Sequence, residues 1–558
     1  MIFFAFITNT YAVEFTVPAG LPNALDAGRA QKNVQEAQPL RRSKAPPLIK
    51  NAPPPSAPIS GAAKIHFTLK NIIITGNTVI PEQELKNIFI PSIGKNISLE
   101  DLENLVQEVS TKYRAEGYIL SRAILPAQEI KNGTVKVEII EGFVSQVTVT
   151  GNPGRAKPLL EKYGQRVLQS KPLKLSVLEH EMLLANDLPG LVVKAILTPS
   201  KITKDAADLT LVSERKLFSG YLSHDNYGTR YLGPIESSVG VAVNSLLFPG
   251  DTTGFHGSVT TKESELQYYD VSHMQPIGSS GLNFTIGSNY TQTQPLFILA
   301  PFDSIGRSFS IYSNLTYPVI RSRSLNLYLH AATNYQNVTS EILSTPLYQD
   351  RIRSLDLGIN FDDVAFWSGY DTLGADVIQG FEILGAGMHE LQSRPRGRTK
   401  YTRATASGSR LQLIHGRYSL YISATGQYSC QPLLATEQFS FGGPIYGRGY
   451  GPSEIVADRG VAAKVELRID TLPDMRFLQS IEYYIFYDGG VLWNLDTFDL
   501  PHKQSATSTG IGARFNFMPQ LYGEFYIAKP LTRQDTTLTP TDQNPQQARG
   551  FFQIIARL

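Results

Sequence analysis

Leu521-Tyr522-Gly523-Glu524-Phe525-Tyr526-Ile527 alternates without a break: Tyr522, Glu524 and Tyr526 share one face, and Leu521, Gly523, Phe525 and Ile527 share the other. Successive side chains of a β-strand point to opposite faces, so this segment presents one polar and one apolar face. The pattern returns where Leu325, Leu327 and Leu329 oppose Asn326, Tyr328 and His330. It returns again at the carboxy terminus, where Phe552, Ile554, Ala556 and Leu558 oppose Gln553 and Arg557. From Leu217 onward helical periodicity is absent, and about 340 residues follow this two-residue period. In a soluble sandwich such apolar faces would meet across a core; in a membrane barrel they meet lipid while the polar faces line a lumen.

Sixteen strands can be drawn in this region, starting near Leu217, Ile235, Thr253, Glu265, Gly281, Ser308, Ser324, Arg351, Tyr370, Tyr401, Arg417, Gly460, Ile481, Thr507, Gln520 and Arg549. Their connections mostly alternate between short (Phe248 to Thr252, Pro276 to Ser280, His415-Gly416, Met518-Pro519) and long (Gln292 to Arg307, Ile383 to Lys400, Cys430 to Arg459, Leu531 to Ala548). An even strand count with short turns at one rim and long loops at the other is the pattern of an outer-membrane barrel. Backbone groups in lipid must pair internally, so the sheet has to close. The expected fold over 215–558 is therefore a membrane β-barrel of sixteen antiparallel strands.

Composition agrees. The chain has 558 residues, 27 Tyr and 27 Phe but 2 Trp, 45 Gly, and a net charge of +2. At that length it exceeds one ordinary core, and its near-neutral charge does not suit a bulk nucleic-acid binder. No run of about 18 apolar residues marks a membrane helix, a criterion to which barrel strands are invisible. One cysteine, Cys430, rules out an internal disulfide framework and any Cys-built zinc site.

Upstream lies an internal echo. Ile72-Ile73-Ile74-Thr75-Gly76-Asn77 recurs as Val147-Thr148-Val149-Thr150-Gly151-Asn152, each a strand ending in a Gly-Asn turn. In the first unit (65–142) a short helix Pro81 to Phe89 precedes a longer one, Ser98 to Glu116, with Asp101 placed as a capping-box acid. The apolar residues Leu99, Leu102, Leu105, Val106, Val109 and Tyr113 form one stripe of the longer helix. Strands Tyr118 to Leu125 and Val135 to Ile140 close the unit. The second unit (143–214) repeats the order with strand Val144 to Thr150, helices Ala156 to Leu168 and Leu175 to Asp187, and strands Leu191 to Pro199 and Ala207 to Ser213. Each is a β-α-α-β-β module.

Ahead of them, Ile2 to Ile7 with Thr10-Tyr11-Ala12 reads as the remnant of a signal peptide over 1–12. Within 13–38, Leu21 to Gln38 is polar and rich in helix formers. The basic, proline-rich stretch 39–64, with Pro46-Pro47 and Pro53-Pro54-Pro55, reads as a semi-rigid spacer.

The densest signal lies in the loop Cys430 to Arg459: Phe441-Gly442-Gly443-Pro444-Ile445-Tyr446-Gly447-Arg448-Gly449-Tyr450-Gly451. Glycines around a lone arginine let backbone fold tightly and project a long cation. A later strand reads Phe486-Tyr487-Asp488-Gly489-Gly490. An acid in a barrel strand must face the lumen and be paired. Two arrangements fit: the loop tucks inward and Arg448 pairs with Asp488, or Arg448 is solvated and Asp488 faces pore water.

Together the two modules, the sixteen strands, Arg448-Gly449-Tyr450 in the sixth long loop and Phe486-x-Asp488-x-Gly490 in the thirteenth strand resemble the two-partner secretion transporters. These are the TpsB-type outer-membrane proteins of type V secretion that export haemolysins and filamentous adhesins. The resemblance spans nearly the whole chain. It implies that the modules are periplasmic POTRA domains capturing an unfolded exoprotein (TpsA-like), that the sixth loop reaches into the pore with Arg448 on Asp488, and that the early helix plugs the resting pore. The candidate client-binding surface is the sheet edge beside helix Ser98 to Glu116, with Leu102, Val106, Val109 and Tyr113. Expected partners besides the exoprotein are outer-membrane lipid and lipopolysaccharide and, during biogenesis, the barrel-assembly machinery; nucleic acid is not expected. The sequence departs from the family pattern in ending on Leu558 rather than Phe, and in Gly447 where a larger residue often precedes Arg-Gly.

The remaining signals are weaker. Arg394, Arg396, Arg398, Lys400 and Arg403 form a basic run that either meets lipopolysaccharide phosphates or, as the preferred reading, is a solvated loop. The nine histidines lack metal-ligand spacing, no catalytic Ser/His/Asp or carboxylate pair stands out, and Gly510-Ile511-Gly512 lacks the setting of a dinucleotide turn. The expectation is a non-enzyme without cofactor or metal: a client-specific secretion channel. The rival readings are an insertase for outer-membrane proteins, which would carry more repeats, and a passive porin or receptor, which would need none.

Overall fold

The computed structural model describes residues 26–36, 49–50, 62–262, 264–363, 369–387, 391–473, 475–496, 501–532 and 547–558. The expected signal remnant and most of the proline-rich spacer lie outside the described residues. Helix α1 (Ala27–Glu36) is followed by the two modules and the barrel.

The first module has a three-stranded sheet, Asn71–Thr75 parallel to Thr134–Ile140, which pairs antiparallel with Arg122–Ile124. Helices α2 (Glu82–Phe89) and α3 (Leu99–Ala115) belong to it. α3 starts at a capping box: Ser98 Oγ accepts from the Asp101 amide at 3.1 Å, and Asp101 Oδ2 accepts from the Ser98 amide at 2.9 Å. Its stripe faces inward. Leu102, Val106, Val109 and Tyr113 are each no more than 5% exposed and pack with Ile72, Ile74, Val135 and Val137. This corrects the expectation that they form a client-binding surface. An apolar helical stripe beside a small sheet is the module's own core, and burying four such side chains is worth on the order of 6–12 kcal/mol.

The second module repeats the plan with α4 (Lys157–Gln169), α5 (Leu175–Asp187) and strands Phe143–Gly151, Leu191–Pro199 and Ala206–Arg215. The expected strand Tyr118 to Leu125 shortens to Arg122–Ile124, because Tyr118 to Ser121 turn and send Leu120 into the second module's core. The Leu173 and Leu175 amides donate to Gly142 and Gly117 across the same junction, at 2.9 and 2.8 Å. The second module is fastened to the barrel in turn. Arg321, at the end of the sixth barrel strand, grips Asp187 with two bonds of 2.7 and 2.8 Å, and Arg323 lies 3.1 Å from Glu179.

From Phe218 to Arg557 sixteen antiparallel strands close on themselves, the first (Phe218–Asp225) pairing with the sixteenth (Arg549–Arg557) from Tyr221–Arg557 to Asp225–Gln553. Leu329, Ile359, Val377, Ile485, Phe525 and Ile554 project outward and are exposed, whereas Tyr484, Asp488 and Tyr526 are buried inside. That inversion of the soluble pattern is what lipid demands. The sixth to eighth strands (Ser304–Arg321, Leu325–Ile342, Thr345–Asp363) are 18 to 19 residues long. The sixth and eighth begin earlier than the expected Ser308 and Arg351, because the seventh and eighth run on to a two-residue turn. Leu343 and Ser344 there have φ of +49° and +61°, the geometry that matches strand twist.

Candidate functional site: a loop and a helix inside the barrel

The loop between the eleventh strand (Tyr418–Ser429) and the twelfth (Arg459–Thr471) folds back into the lumen. Its ends form a small ribbon, Phe439–Phe441 paired with Ile455–Ala457. At its tip Asp488 Oδ2 accepts from the Gly447 amide (3.2 Å), the Arg448 amide (2.9 Å) and Arg448 Nε (3.0 Å), while Oδ1 accepts from Arg448 Nη2 at 2.7 Å. Four bonds thus converge on one carboxylate that has no solvent contact. The Arg448 guanidinium stacks 3.5 Å from the Phe486 ring centroid. Of the two arrangements the sequence left open, the structure has the inward one.

Glycine makes this approach possible at two positions. Gly447 has φ +82°, and a Cβ there would come 2.6 Å from the Phe441 ring. A larger residue before Arg-Gly has no room here, which accounts for the departure at Gly447. A Cβ on Gly490 would meet the same ring at 2.4 Å, so the last residue of Phe486-x-Asp488-x-Gly490 lets Phe441 lie on the strand. Tyr450 is buried, its hydroxyl 2.8 Å from the Thr532 carbonyl and 3.0 Å from that of Thr507. The Gly449 carbonyl accepts from Arg549 Nη2 at 2.7 Å.

The pair is part of a larger array. Arg448 Nη1 donates to Glu466 Oε1 at 2.6 Å. Glu466, on the twelfth strand, also takes Arg468 (2.6 Å) and Arg514 (3.2 Å), and Arg514 continues to Glu482 (2.5 Å) and Glu524 (2.8 Å). Three arginines and four carboxylates so cross-link the lumen faces of the twelfth to fifteenth strands. Buried charges of this kind persist only when fully paired. Sequence reasoning missed Glu466 and Arg514. Its available signal was the run Lys464-Val465-Glu466-Leu467-Arg468, charged at every second position.

The helix α1 lies against the fifth to seventh strands and the loop. Of the expected helix Leu21 to Gln38, residues 26–36 are described, and Ala27–Glu36 of these are helical. Gln31 bonds Ser308 and Ser310 (2.9 and 3.2 Å), Asp26 accepts from Tyr348 and Thr436 (2.7 and 3.0 Å), and Ser453 donates to Asn33 (2.8 Å). Lys32 Nζ bridges the Thr436 carbonyl (2.6 Å) and Glu437 (2.9 Å), and Arg29 donates to the Ala435 carbonyl. Glu437 is shared with the wall, accepting from Tyr401 at 2.8 Å and Arg403 at 3.0 Å. Ala30 and Val34 join an apolar cluster with Tyr231, Leu232, Leu266, Tyr268 and Leu299, and Ala27 is buried as well. A Cβ on Gly28 would come 2.6 Å from Thr436, so the helix seats closely on the loop.

Two residues of the basic run, Arg394 and Arg403, are drawn inward, which corrects the solvated-loop reading for them, whereas Arg396, Arg398 and Lys400 are exposed. Arg394 Nη1 is 2.5 Å from the buried Asp458, and Arg403 holds Glu437. Among the described residues, one His/Asp group could hold a metal ion: His330, Asp356 and Asp376. Its donors are partly engaged already, His330 Nε2 lying 3.0 Å from Asp376, which also accepts from Thr405 at 2.9 Å.

A closed barrel behind two α/β modules, with a pore-inserted loop arginine on a strand aspartate, defines a POTRA-bearing outer-membrane transporter. Residues 208–515 match the haemolysin secretion/activation protein family ShlB/FhaC/HecB, and residues 67–142 match its POTRA domain, ShlB-type. The chain belongs to that family, so it is a two-partner secretion transporter (TpsB type) and not an enzyme, its POTRA domains in the periplasm. It is 26% identical over 482 residues to the heme/hemopexin transporter protein HuxB of Haemophilus influenzae (84% of either chain), and 23% identical over 448 residues to the outer membrane transporter CdiB of Dickeya dadantii (78% and 77%). Among solved structures, CdiB from Escherichia coli superposes with a TM-score of 0.69 over 95% of both chains at 18% identity. CdiB from Acinetobacter baumannii gives 0.63 over 96% and 99% at 16% identity, and a BamA barrel from Haemophilus ducreyi 0.53 over 88% and 100% at 15% identity.

Proposed function

We propose that this transporter carries one large exoprotein, of the haemolysin, adhesin or contact-dependent toxin class, from the periplasm to the cell surface. The exoprotein arrives unfolded and is captured by backbone pairing to exposed sheet edges of the POTRA domains. The tip Arg448-Gly449-Tyr450 stays on Phe486, Asp488 and Gly490 in the resting state, α1 fills the lumen beside it, and capture shifts the population toward an open pore. Folding of the exoprotein outside then prevents back-sliding. The outward apolar faces take outer-membrane lipid, the surface loops meet lipopolysaccharide, and the assembly machinery inserts the barrel.

The observation carrying this reading is the character of the α1 seat. Polar bonds to Gln31, Asp26, Lys32 and Asn33 dominate it, and water can replace such partners when the helix leaves, whereas an apolar plug would pay the full cost of exposure. An export assay tests it. The chain is expressed with the exoprotein, Arg448→Ala is compared with the parent after barrel assembly is verified, and exoprotein is measured in the medium. Export is expected to fall at least tenfold. Undiminished export would remove the loop from the mechanism, and failure of other barrels to insert on depletion of the chain would favour an insertase.

A further inference from the structure

The polar face of the seventh to tenth strands carries a group of side chains that the contacts of plug and loop do not use. His330 on the seventh strand pairs with Gly358 on the eighth, Gly358 with Asp376 on the ninth (Gly369–Gly380), and Asp376 with Thr405 on the tenth (Thr402–His415). The four stand in one row across the lumen wall, and Asp356, two residues before Gly358, shares their face. Because Gly358 has no side chain, His330 reaches across the eighth strand and sets its Nε2 3.0 Å from Asp376 Oδ1. A Cβ on Gly358 would come 2.1 Å from that oxygen and 2.5 Å from Nε2. One donor atom from each of His330, Asp356 and Asp376 lies within 4.8 Å of the others. Two carboxylates thus face one imidazole. Arg403, on the tenth strand, is committed elsewhere: its Nε and Nη2 hold Glu437, and its Nη1 donates to Gln427 at 2.9 Å. Asp356 Oδ1 is buried without a hydrogen-bond partner among the described residues, a costly state that a bound cation relieves.

We propose that His330, Asp356 and Asp376 form a lumen site for a divalent transition-metal ion of the zinc type. Zinc takes imidazole nitrogen and carboxylate oxygen at about 2.0–2.2 Å, which sets neighbouring donors about 3.0–3.5 Å apart. His330 and Asp376 already have that spacing, so only Asp356 has to draw in. An imidazole ligand disfavours magnesium and calcium, and the absence of a thiolate from the set disfavours copper(I). Three protein ligands leave a position for water. Each strand ligand also has an outer partner of the kind that orients metal ligands: Thr405 Oγ1 donates to Asp376 Oδ2 at 2.9 Å, and the Asn360 amide lies 3.2 Å from His330 Nδ1. Binding removes the proton from Nε2. A charged ring gives it to water; a neutral ring moves it to Nδ1, where the Asn360 amide, turned over, accepts it. The side chains of His330 and Asp376 are 15% and 26% exposed, so a hydrated ion can enter from the lumen. The ligands come from three strands, which is why no histidine spacing announces them.

The test uses the full chain, purified in detergent without a histidine tag and stripped of metal with a chelator. Co2+ is titrated in and followed by its visible absorption, and Zn2+ is then added as competitor. The parent is expected to bind one Co2+ per chain, which Zn2+ displaces and Mg2+ at the same concentration does not. His330→Ala and Asp356→Asn should each bind at least tenfold more weakly. Gly358→Ala keeps every ligand and every charge but puts a methyl between His330 and Asp376, so it should lose as much. Heat-modifiable mobility in gel electrophoresis verifies that each variant is a closed barrel. Zn2+ should also raise the unfolding midpoint of the parent and leave those of the three variants unchanged. Absence of Co2+ binding by the parent overturns the inference. Parent-like affinity in His330→Ala or Gly358→Ala overturns it as well, since the ion would then sit on other side chains.

Discussion

Glu466 Oε1 accepts from Arg448 Nη1 at 2.6 Å, from the strand beside the one that carries Asp488. The loop arginine is therefore shared by two carboxylates on adjacent strands, both without solvent contact. Its hold is a property of the wall as much as of the Phe486-x-Asp488-x-Gly490 motif.

Removing either carboxylate should loosen the loop, and unequally. Asp488→Asn strips charge from the acceptor of four bonds and leaves Arg448 buried beside one acid; breaking such a pair costs about 3–5 kcal/mol. Glu466→Gln should cost less at the loop but also release Arg468 and Arg514. Limited proteolysis of intact outer-membrane vesicles, read at the loop 430–458, ranks the variants. Equal protection of Asp488→Asn and the parent would contradict the arrangement.

Gly447→Ala places a methyl against Phe441 at a left-handed φ, a strain of about 1–3 kcal/mol. It should raise loop cleavage while the barrel keeps its heat-modifiable mobility in gel electrophoresis. The double variant Gly447→Ala with Phe441→Ala relieves the clash but not the φ, so recovery should be partial.

Lys32→Glu turns the contact with Glu437 from attraction to repulsion inside the lumen, next to a carboxylate that also holds Arg403 and Tyr401. The helix should leave. Planar-bilayer recordings should show the large-conductance state at least tenfold more often than in the parent, and Lys32→Ala should fall between. An unchanged open fraction would mean that α1 does not limit the pore.

In the first POTRA domain, burial alone would raise the Glu141 carboxyl, but bonds from the Thr78 hydroxyl, the Thr78 and Val79 amides and the Tyr113 hydroxyl outweigh it and hold the group below its ordinary value of 4.5. A carboxylate with a depressed folded pKa adds stability that is present above the unfolded value and lost as pH falls through the folded one. Amide exchange at Thr78 and Val79 should accordingly be protected at neutral pH and lose protection as pH falls below 4.5 and through the lowered folded value, beyond the ordinary pH trend. Glu141→Gln should remove that extra pH dependence.

Much of the fold was legible because a strand's period is local. Tyr522-Gly523-Glu524 states which side is wet without reference to any other strand, and sixteen such statements add up to a closed sheet. The pairing of Arg448 with Asp488 was legible as a possibility, since glycines flank a lone cation in one place and an acid interrupts a strand in another. The helix stripe of Leu102, Val106, Val109 and Tyr113 was equally visible, but periodicity records an apolar face and not what covers it. Its own sheet does.

By itself the sequence determined the alternation, the repeat, the strand number and the two motifs, all of which rest on neighbours within a few residues. Only the tertiary structure decided that Arg448 takes Glu466 as well as Asp488, that Lys32 meets Glu437 across 405 positions, that Arg394 turns inward to Asp458, and that Ile49–Lys50 pairs in parallel with Ala195 and Ile196 of the second module. The physical reason is that ion pairs and edge pairings depend on which surfaces barrel closure brings within about 3 Å of one another, and closure is a property of the whole sheet.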